Sequence, residues 1–288
     1  MNKVWISVGC FLLSFGSVAG DRIISAGAGV TELLIALDKQ DDLVAVDLTS
    51  RFAAVAKLPV VGYHRQLSAE GLLSLAPDIL IGSSEMGPQS TLDLLSQSGV
   101  NVMVLPTETT TKNLLDTITL LGDKLDRKSQ AKQLIIKLDH DIKQLEANQQ
   151  QIKTPKTMLF LLLNDKGTYT AAGRNTTAHS VMTLAGAVNP AAALNAYQAL
   201  SAEAFLAMAP ESILVSGRHW QKYQDIDTLI AAMPLLAQTP AGRNKAIYVI
   251  DGRALIGGLG LNSIEQAKQL QVKLYPYLSA NLELELKN

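Results

Sequence analysis

The chain has 288 residues, 48% of them apolar and 18% charged. That length suits one large or two medium domains, and that balance excludes disorder as the main state. A formal net charge of -1 supplies no field that would draw the chain to nucleic acid or anionic lipid. With five Phe and two Trp, the core has to be built from aliphatic side chains.

Residues 1–20 read as a signal peptide. Lys3 is a short positive start, residues 4–15 form an apolar run too short for a membrane span, and Ser17-Val18-Ala19 fits a small-x-small cleavage pattern. Cleavage after about Ala19 or Gly20 is expected. The sole cysteine, Cys10, lies inside this segment. Read as a lipoprotein site, it would have too short an apolar run before it. The processed chain then has no cysteine, which excludes disulfides, thiolate metal sites and a cysteine nucleophile.

Arg22-Ile23-Ile24-Ser25-Ala26 predicts a first strand, and Gly27-Ala28-Gly29 a turn into a helix over 30–37. This G-x-G lacks a third glycine and reads as a strand-to-helix turn, not a dinucleotide fingerprint. A buried-type strand follows over 43–47, a helix over 68–75 with Ser68 as N-cap, and a strand over 78–81. Another helix over 90–97 ends at Gly99, and a strand over 100–105 ends at Pro106. Strands alternating with helices imply a parallel sheet covered on both faces.

Between 111 and 151 there is neither a strand signal nor a proline. Ile135, Leu138, Ile142 and Leu145 keep a helical apolar stripe, and Lys137, Asp139, Asp141, Lys143 and Glu146 fill the other face. A helix over 129–151 would be about 35 Å long at ~1.5 Å per residue. Thr154-Pro155 stops it. Such a helix between two sheet-forming halves predicts a spine across two lobes. His140, between two aspartates on it, reads as a solvated residue. Strand and helix signals then resume: strands over 157–163, 212–215 and 246–250, helices over 177–185 and 261–274. The residues after 278 read as charged and loosely held.

The halves echo each other. Leu67-Ser68-Ala69-Glu70 recurs as Leu200-Ser201-Ala202-Glu203, each followed by an apolar helix, then Ala76-Pro77-Asp78 or Ala209-Pro210-Glu211 and a strand. The fold class expected is therefore α/β, with two lobes, each a mostly parallel sheet flanked by helices, joined by one long spine helix. The lobes are expected over 21–122 and 155–288, with the spine over 123–154.

One stretch carries distinctive chemistry: Gly62-Tyr63-His64-Arg65-Gln66-Leu67-Ser68-Ala69-Glu70-Gly71. If residues 63–65 are extended, Tyr63 and Arg65 point to one side and His64 to the other. A cation beside a phenol favours the phenolate, a hard ligand for ferric iron. His64 is an alternative ligand or a supporting residue. No G-x-S-x-G elbow, H-E-x-x-H pair or P-loop is present, so no enzyme activity is expected.

This stretch resembles the ligand segment of periplasmic haem-binding proteins that serve ABC importers. Residues 30–37, Ala171-Ala172-Gly173-Arg174-Asn175-Thr176 and Thr239-Pro240-Ala241-Gly242-Arg243 are also similar to segments of that class. The likeness runs from about residue 22 to 275 and implies an exported periplasmic protein with haem as its transported ligand. It implies Tyr63 as the axial ligand of the haem iron, hence the metal-binding residue, with Arg65 in support; His64, as the neighbour of Tyr63, is also expected in support. It also implies delivery to a homodimeric ABC permease with a cytoplasmic ATPase, and an outer-membrane haem receptor upstream. Glu70 and Glu203, at matching points of the two lobes, would dock on that permease; as first-turn carboxylates they also suit the helix dipole.

Arg174, Arg218 and Arg243, together with Arg253, are candidates for the haem propionates. Met86 and Leu259 are candidates to cover the porphyrin, and His219 to line the cleft. His179 reads as a surface or capping residue. Some members of the class hold a second haem through a histidine at a place that Asn164 occupies here, so one haem is expected. A siderophore or cobalamin binder of the same fold is the alternative, with Tyr63 only stacking; a secreted enzyme on this scaffold is more distant.

Overall fold

A computed structural model describes residues 21–107, 109–163 and 168–278. The predicted signal peptide, Asn164 and the residues after 278 lie outside the described residues.

The first lobe comprises β1 (Ile23–Ala26), α1 (Ala28–Ala36), β2 (Leu43–Val46), α2 (Ala69–Leu73), β3 (Ile79–Ser83), α3 (Gln89–Gln97) and β4 (Asn101–Leu105). Then come α4 (Thr111–Lys124) and α5 (Lys128–Gln150). The second lobe comprises β5 (Met158–Leu162), β6 (Tyr169–Ala172), α6 (Thr177–Leu184), β7 (Tyr197–Leu200), α7 (Ala202–Ala207), β8 (Ser212–Ser216), α8 (Gly217–Trp220), α9 (Ile226–Ala232), α10 (Pro240–Arg243) and β9 (Ile247–Ile250). Helix α11 (Leu261–Leu274) returns to the spine, packing on α5 and α6.

The first sheet has the order β2-β1-β3-β4 and is parallel throughout. The second has the order β7-β6-β5-β8-β9. It is parallel across β5-β8-β9 and antiparallel across β5-β6-β7, with Tyr169 opposite Leu200. The β6-β7 ribbon was not expected. Its strands are four residues long and half exposed, so they lack the continuous apolar run of a buried strand.

Period-two alternation sends neighbouring side chains to different cores. Ile23, Ile79 and Ile81 from the first sheet, and Met158, Phe160 and Leu214 from the second, enter one cluster with α1, α4, α5, α6 and α11. Ile24 and Leu80 pack outward on α2 and α3, and Leu159, Ile213 and Val215 outward on Phe205, Leu229 and Leu236. The central cluster belongs to both lobes and is crossed by Ala131, Leu138, Ile142 and Leu145 of the spine. A buried leucine in such a place contributes about 2–5 kcal/mol relative to alanine. The lobes are therefore tied by packing as well as by chain connection.

The expected spine segment 123–154 contains the end of α4, a turn at 125–127 where Asp126 has φ 53, and α5 with its 23 residues. Its polar face is laced by Lys143–Asp139 at 2.6 Å and, across to α11, by Lys268–Asp141 at 3.0 Å. His140 is exposed, as a solvated residue should be.

The sequence echo is also a structural one. Ser68 and Ser201 cap α2 and α7 by accepting from Gly71 N and Ala204 N. Ala76 and Ala209 both adopt positive φ, 44 and 39. Asp78 and Glu211 each accept the backbone N–H just before a central strand, from Arg22 and Thr157, both at 2.8 Å.

Candidate functional site

In parallel sheets of this kind, ligands lie beyond the carboxyl ends of the strands. Beyond β2 the chain turns at 47–50, and Leu48 N–H bonds to Gly62 O at 2.7 Å, which brings the Tyr63 segment alongside. Gly62 has φ 92, a conformation suited to glycine. Residues 63–66 then form a tight turn, with Gln66 N–H donating to Tyr63 O at 2.7 Å. The extended conformation expected for 63–65 is therefore corrected to a turn.

Tyr63 is half-buried and borders a cavity of about 620 Å³ between the lobes. Leu48, Arg51 and Tyr63 line it from the first lobe, and Arg218, Arg253 and Ile256 from the second. That volume is in the range of roughly 300–1,000 Å³ typical of small-molecule sites. Among the described residues the Tyr63 hydroxyl has no hydrogen-bond partner, so it is available to a ligand.

Behind Tyr63 lies a buried polar network. Asp47, 1% exposed, accepts from the Ser50 hydroxyl, from the Thr49 hydroxyl at 2.7 Å and from His64 Nδ1 at 3.0 Å. Ser50 continues to Thr31 at 2.7 Å and Thr31 to Ser25 at 2.6 Å. His64 is fully buried; its ring lies 4.4 Å from that of Tyr63 and its Nε2 is 3.6 Å from Glu85. Glu85 in turn accepts from Arg65 at 2.5 Å. Burial opposes a charge on His64, but the Asp47 and Glu85 carboxylates outweigh it and raise its pKa. Burial pushes the Asp47 carboxyl up, and the donors from His64, Ser50 and Thr49 outweigh it and leave it low. Glu85 is lowered chiefly by His64, against burial, with Arg65 adding to the effect.

These contacts revise two expectations. His64 does not border the cavity; it is a brace behind Tyr63, because its imidazole is held by a buried carboxylate. Arg65 is not free to face the phenol; its guanidinium is paired with Glu85, and its side chain is 53% exposed.

The arginines separate in the same way. Arg218 borders the cavity; a Cβ at Gly252 would come within 2.5 Å of its Cγ and Cδ, so glycine there lets it lie flat. Arg51, unremarked in the sequence, borders it from the other lobe. Neither guanidinium has a partner among the described residues. Arg253 does: it binds Asp251 at 2.6 Å, donates to Arg51 O at 2.7 Å and covers the Phe52 ring at 5.3 Å. It is a clamp between lobes rather than a free cation. Arg174 donates to Ala193 O. Arg243, at the end of α10, donates to Gln238 O just before that helix, which lies beside the chain entering β8 at its far end from the cavity. Those two are corrected to structural positions.

Met86 and Leu259 are buried in cores, and the apolar side chains that line the cavity are Leu48, 47% exposed, and Ile256. His179 contacts Asn189 at 3.1 Å, and its backbone N–H is capped by Thr176. The His219 side chain lies outside the described residues. Asp47 and its hydroxyl partners had one legible signal: Asp47-Leu48-Thr49-Ser50 after an apolar strand is a self-capping turn pattern.

Glu70 and Glu203 are exposed in the first turns of α2 and α7. Both helices start at the cleft end of their sheets. Leu67 N–H, before α2, bonds to Gly87 O beyond β3, and Leu200, before α7, pairs with Tyr169 beyond the end of β5. The Glu203 carboxyl is held low by its own backbone N–H and by Ser201.

A family model described as periplasmic binding protein matches residues 23–254. The crystal structure of the periplasmic haem-binding protein HutB of Vibrio cholerae is 44% identical, over 89% of this chain and 99% of that one, with a TM-score of 0.83. The periplasmic haem-binding protein RhuT of Roseiflexus sp. RS-1 is 29% identical, over 90% and 99%, also with a TM-score of 0.83. A vitamin B12-binding protein of Vibrio vulnificus is 29% identical over 173 residues, which are 57% of this chain and 60% of that relative's length.

Proposed function

The chain belongs to the periplasmic binding protein family, and on that premise we propose that its ligand is ferric haem, held between the lobes with Tyr63 as the axial ligand. It is a substrate-binding protein of the ABC importer type and not an enzyme. The observation that carries the haem reading is that one phenol and two guanidiniums, none with a partner among the described residues, border one cavity, Tyr63 and Arg51 from the first lobe and Arg218 from the second. Ferric haem asks for those groups: an anionic oxygen for its iron, two cations for its carboxylates, and apolar contact, here Leu48 and Ile256, for its ring. Arg51 and Arg218 take the carboxylates, one from each lobe. Arg253, which also lines the cavity, has its guanidinium engaged by Asp251 and by Arg51 O and ties the two lobes together.

A cobalamin reading draws on the Vibrio vulnificus relative. The corrin periphery carries amides where haem carries two carboxylates, so that reading leaves the opposed arginines less well used. A parallel titration with hemin and cyanocobalamin separates the two.

The protein acts in the periplasm after loss of residues 1–20, receives haem from an outer-membrane receptor, and passes it to a homodimeric permease driven by a cytoplasmic ATPase. Two equivalent basic patches on such a permease need two equivalent acidic points, and Glu70 and Glu203 supply them. Exposed charges of this kind set orientation and association rate and are screened by salt. Replacing both with alanine is expected to leave hemin affinity unaltered and to slow transfer into permease-containing vesicles at low ionic strength, with each single change intermediate. Wild-type delivery by the double variant would reduce the two glutamates to helix-dipole partners.

A further inference from the structure

Two segments of the first lobe reach the cavity: 48–51, with Leu48 and Arg51, and the turn that carries Tyr63. A single side chain is bonded to both. Asp47 binds the hydroxyls of Thr49 and Ser50 on one side and His64 Nδ1 on the other. A carboxylate that is 1% exposed is costly to bury unless every oxygen is satisfied, and here both oxygens accept, Oδ1 from Ser50 and Oδ2 from Thr49 and His64. Burial also removes the freedom to move: Ser50 and Thr31 extend the contacts into α1, and Thr49 accepts Ala28 N–H at 3.0 Å at the start of that helix. The anchor is thus the central strand-helix unit of the lobe, and the anchored parts are the proposed haem ligand and one proposed carboxylate partner.

We infer that Asp47 is the positioning residue of the site, fixing Tyr63 through His64 and Arg51 through Thr49 and Ser50, so that phenol and guanidinium meet one ligand at a set separation. This rests on the haem reading above. Asp47 touches no ligand; it acts through the residues that do. In the second lobe the Asp251 carboxylate accepts from Arg253 and Asn262, while the Arg218 backbone N–H is held by the Ser216 hydroxyl at 3.4 Å.

The test uses Asp47→Asn, Tyr63→Phe and the double variant, each as the full processed chain titrated with hemin. Loss of an outer-shell partner costs about 10–100-fold in metal affinity, and Asp47→Asn is expected in that range. It should also change the absorption spectrum of the ferric complex while the circular dichroism stays that of the wild type. In the Tyr63→Phe background the same change should cost clearly less, because its target is gone. Should Asp47→Asn fail to fold, Thr49→Ala repeats the measurement, and Thr49→Ser should restore affinity and spectrum.

Wild-type affinity and spectrum in Asp47→Asn, or losses that simply add in the double variant, overturn the positioning role. For Thr49, a loss that serine does not restore overturns it. Tyr63→Phe alone tells this from failure of the haem reading. If that variant binds hemin like the wild type, the ligand assignment falls and the inference with it. If it loses hemin and Asp47→Asn does not, only the positioning role falls.

Discussion

Tyr63→Phe is expected to lose more hemin affinity than the roughly 10–100-fold that follows loss of an outer-shell partner, because it removes the iron ligand itself. Phenylalanine keeps the ring, which packs at 4.4 Å on His64, so the change isolates one oxygen. That oxygen has no internal partner among the described residues, so its loss should leave the fold and its stability unaltered. The measurement is a hemin titration followed by the Soret band and the visible charge-transfer bands of the ferric complex. Residual binding should show a different spectrum, as water or another group takes the iron. An unchanged spectrum and affinity would remove Tyr63 from the iron.

The second large effect concerns the opposed cations. Hydrogen bonds to charged groups are worth about 1.5–3 kcal/mol, and in a half-open cleft the low end applies. Each of Arg51→Ala and Arg218→Ala should then cost about tenfold in hemin affinity, since ~1.4 kcal/mol is a factor of ten. The double variant should cost about a hundredfold, because the two sit on different lobes and meet different carboxylates. Hemin dimethyl ester gives the control: with its carboxylates masked, wild type and double variant should bind it alike. Equal losses for hemin and its ester would mean that the arginines shape the cavity and do not hold carboxylates. Arg174→Ala and Arg243→Ala, whose side chains rest on backbone carbonyls away from the cavity, belong in the same series as changes without effect on affinity.

The sequence made some of this legible and withheld the rest for physical reasons. Buried parallel strands are continuous apolar runs, so β1, β3, β5 and β8 could be read directly. The spine could be read from Leu138, Ile142 and Leu145, and the repeat from Ala76-Pro77 and Ala209-Pro210, which share a strained backbone turn. Tyr63 stood out because its neighbours are distinctive. The partners of those neighbours did not: Glu85 is 20 residues from Arg65, and Asp47 is 17 from His64, so pairings that need the ends of β2 and β3, on either side of β1, to meet the same turn leave no local trace. The same limit explains the arginines. Whether a guanidinium is free, as in Arg51, or already occupied, as in Arg253, depends on which carbonyls and carboxylates the fold brings to it. The β6-β7 ribbon was missed because strand periodicity is weak in four half-exposed residues.

The claim that ferric haem is the ligand is tested most directly by titrating the full processed chain with hemin and, in parallel, with cyanocobalamin. The account predicts saturation at one hemin per chain, with the visible spectrum of a phenolate-bound ferric haem that Tyr63→Phe lacks, and no saturable response to cyanocobalamin. Saturable binding of cyanocobalamin together with hemin uptake that never saturates would contradict it.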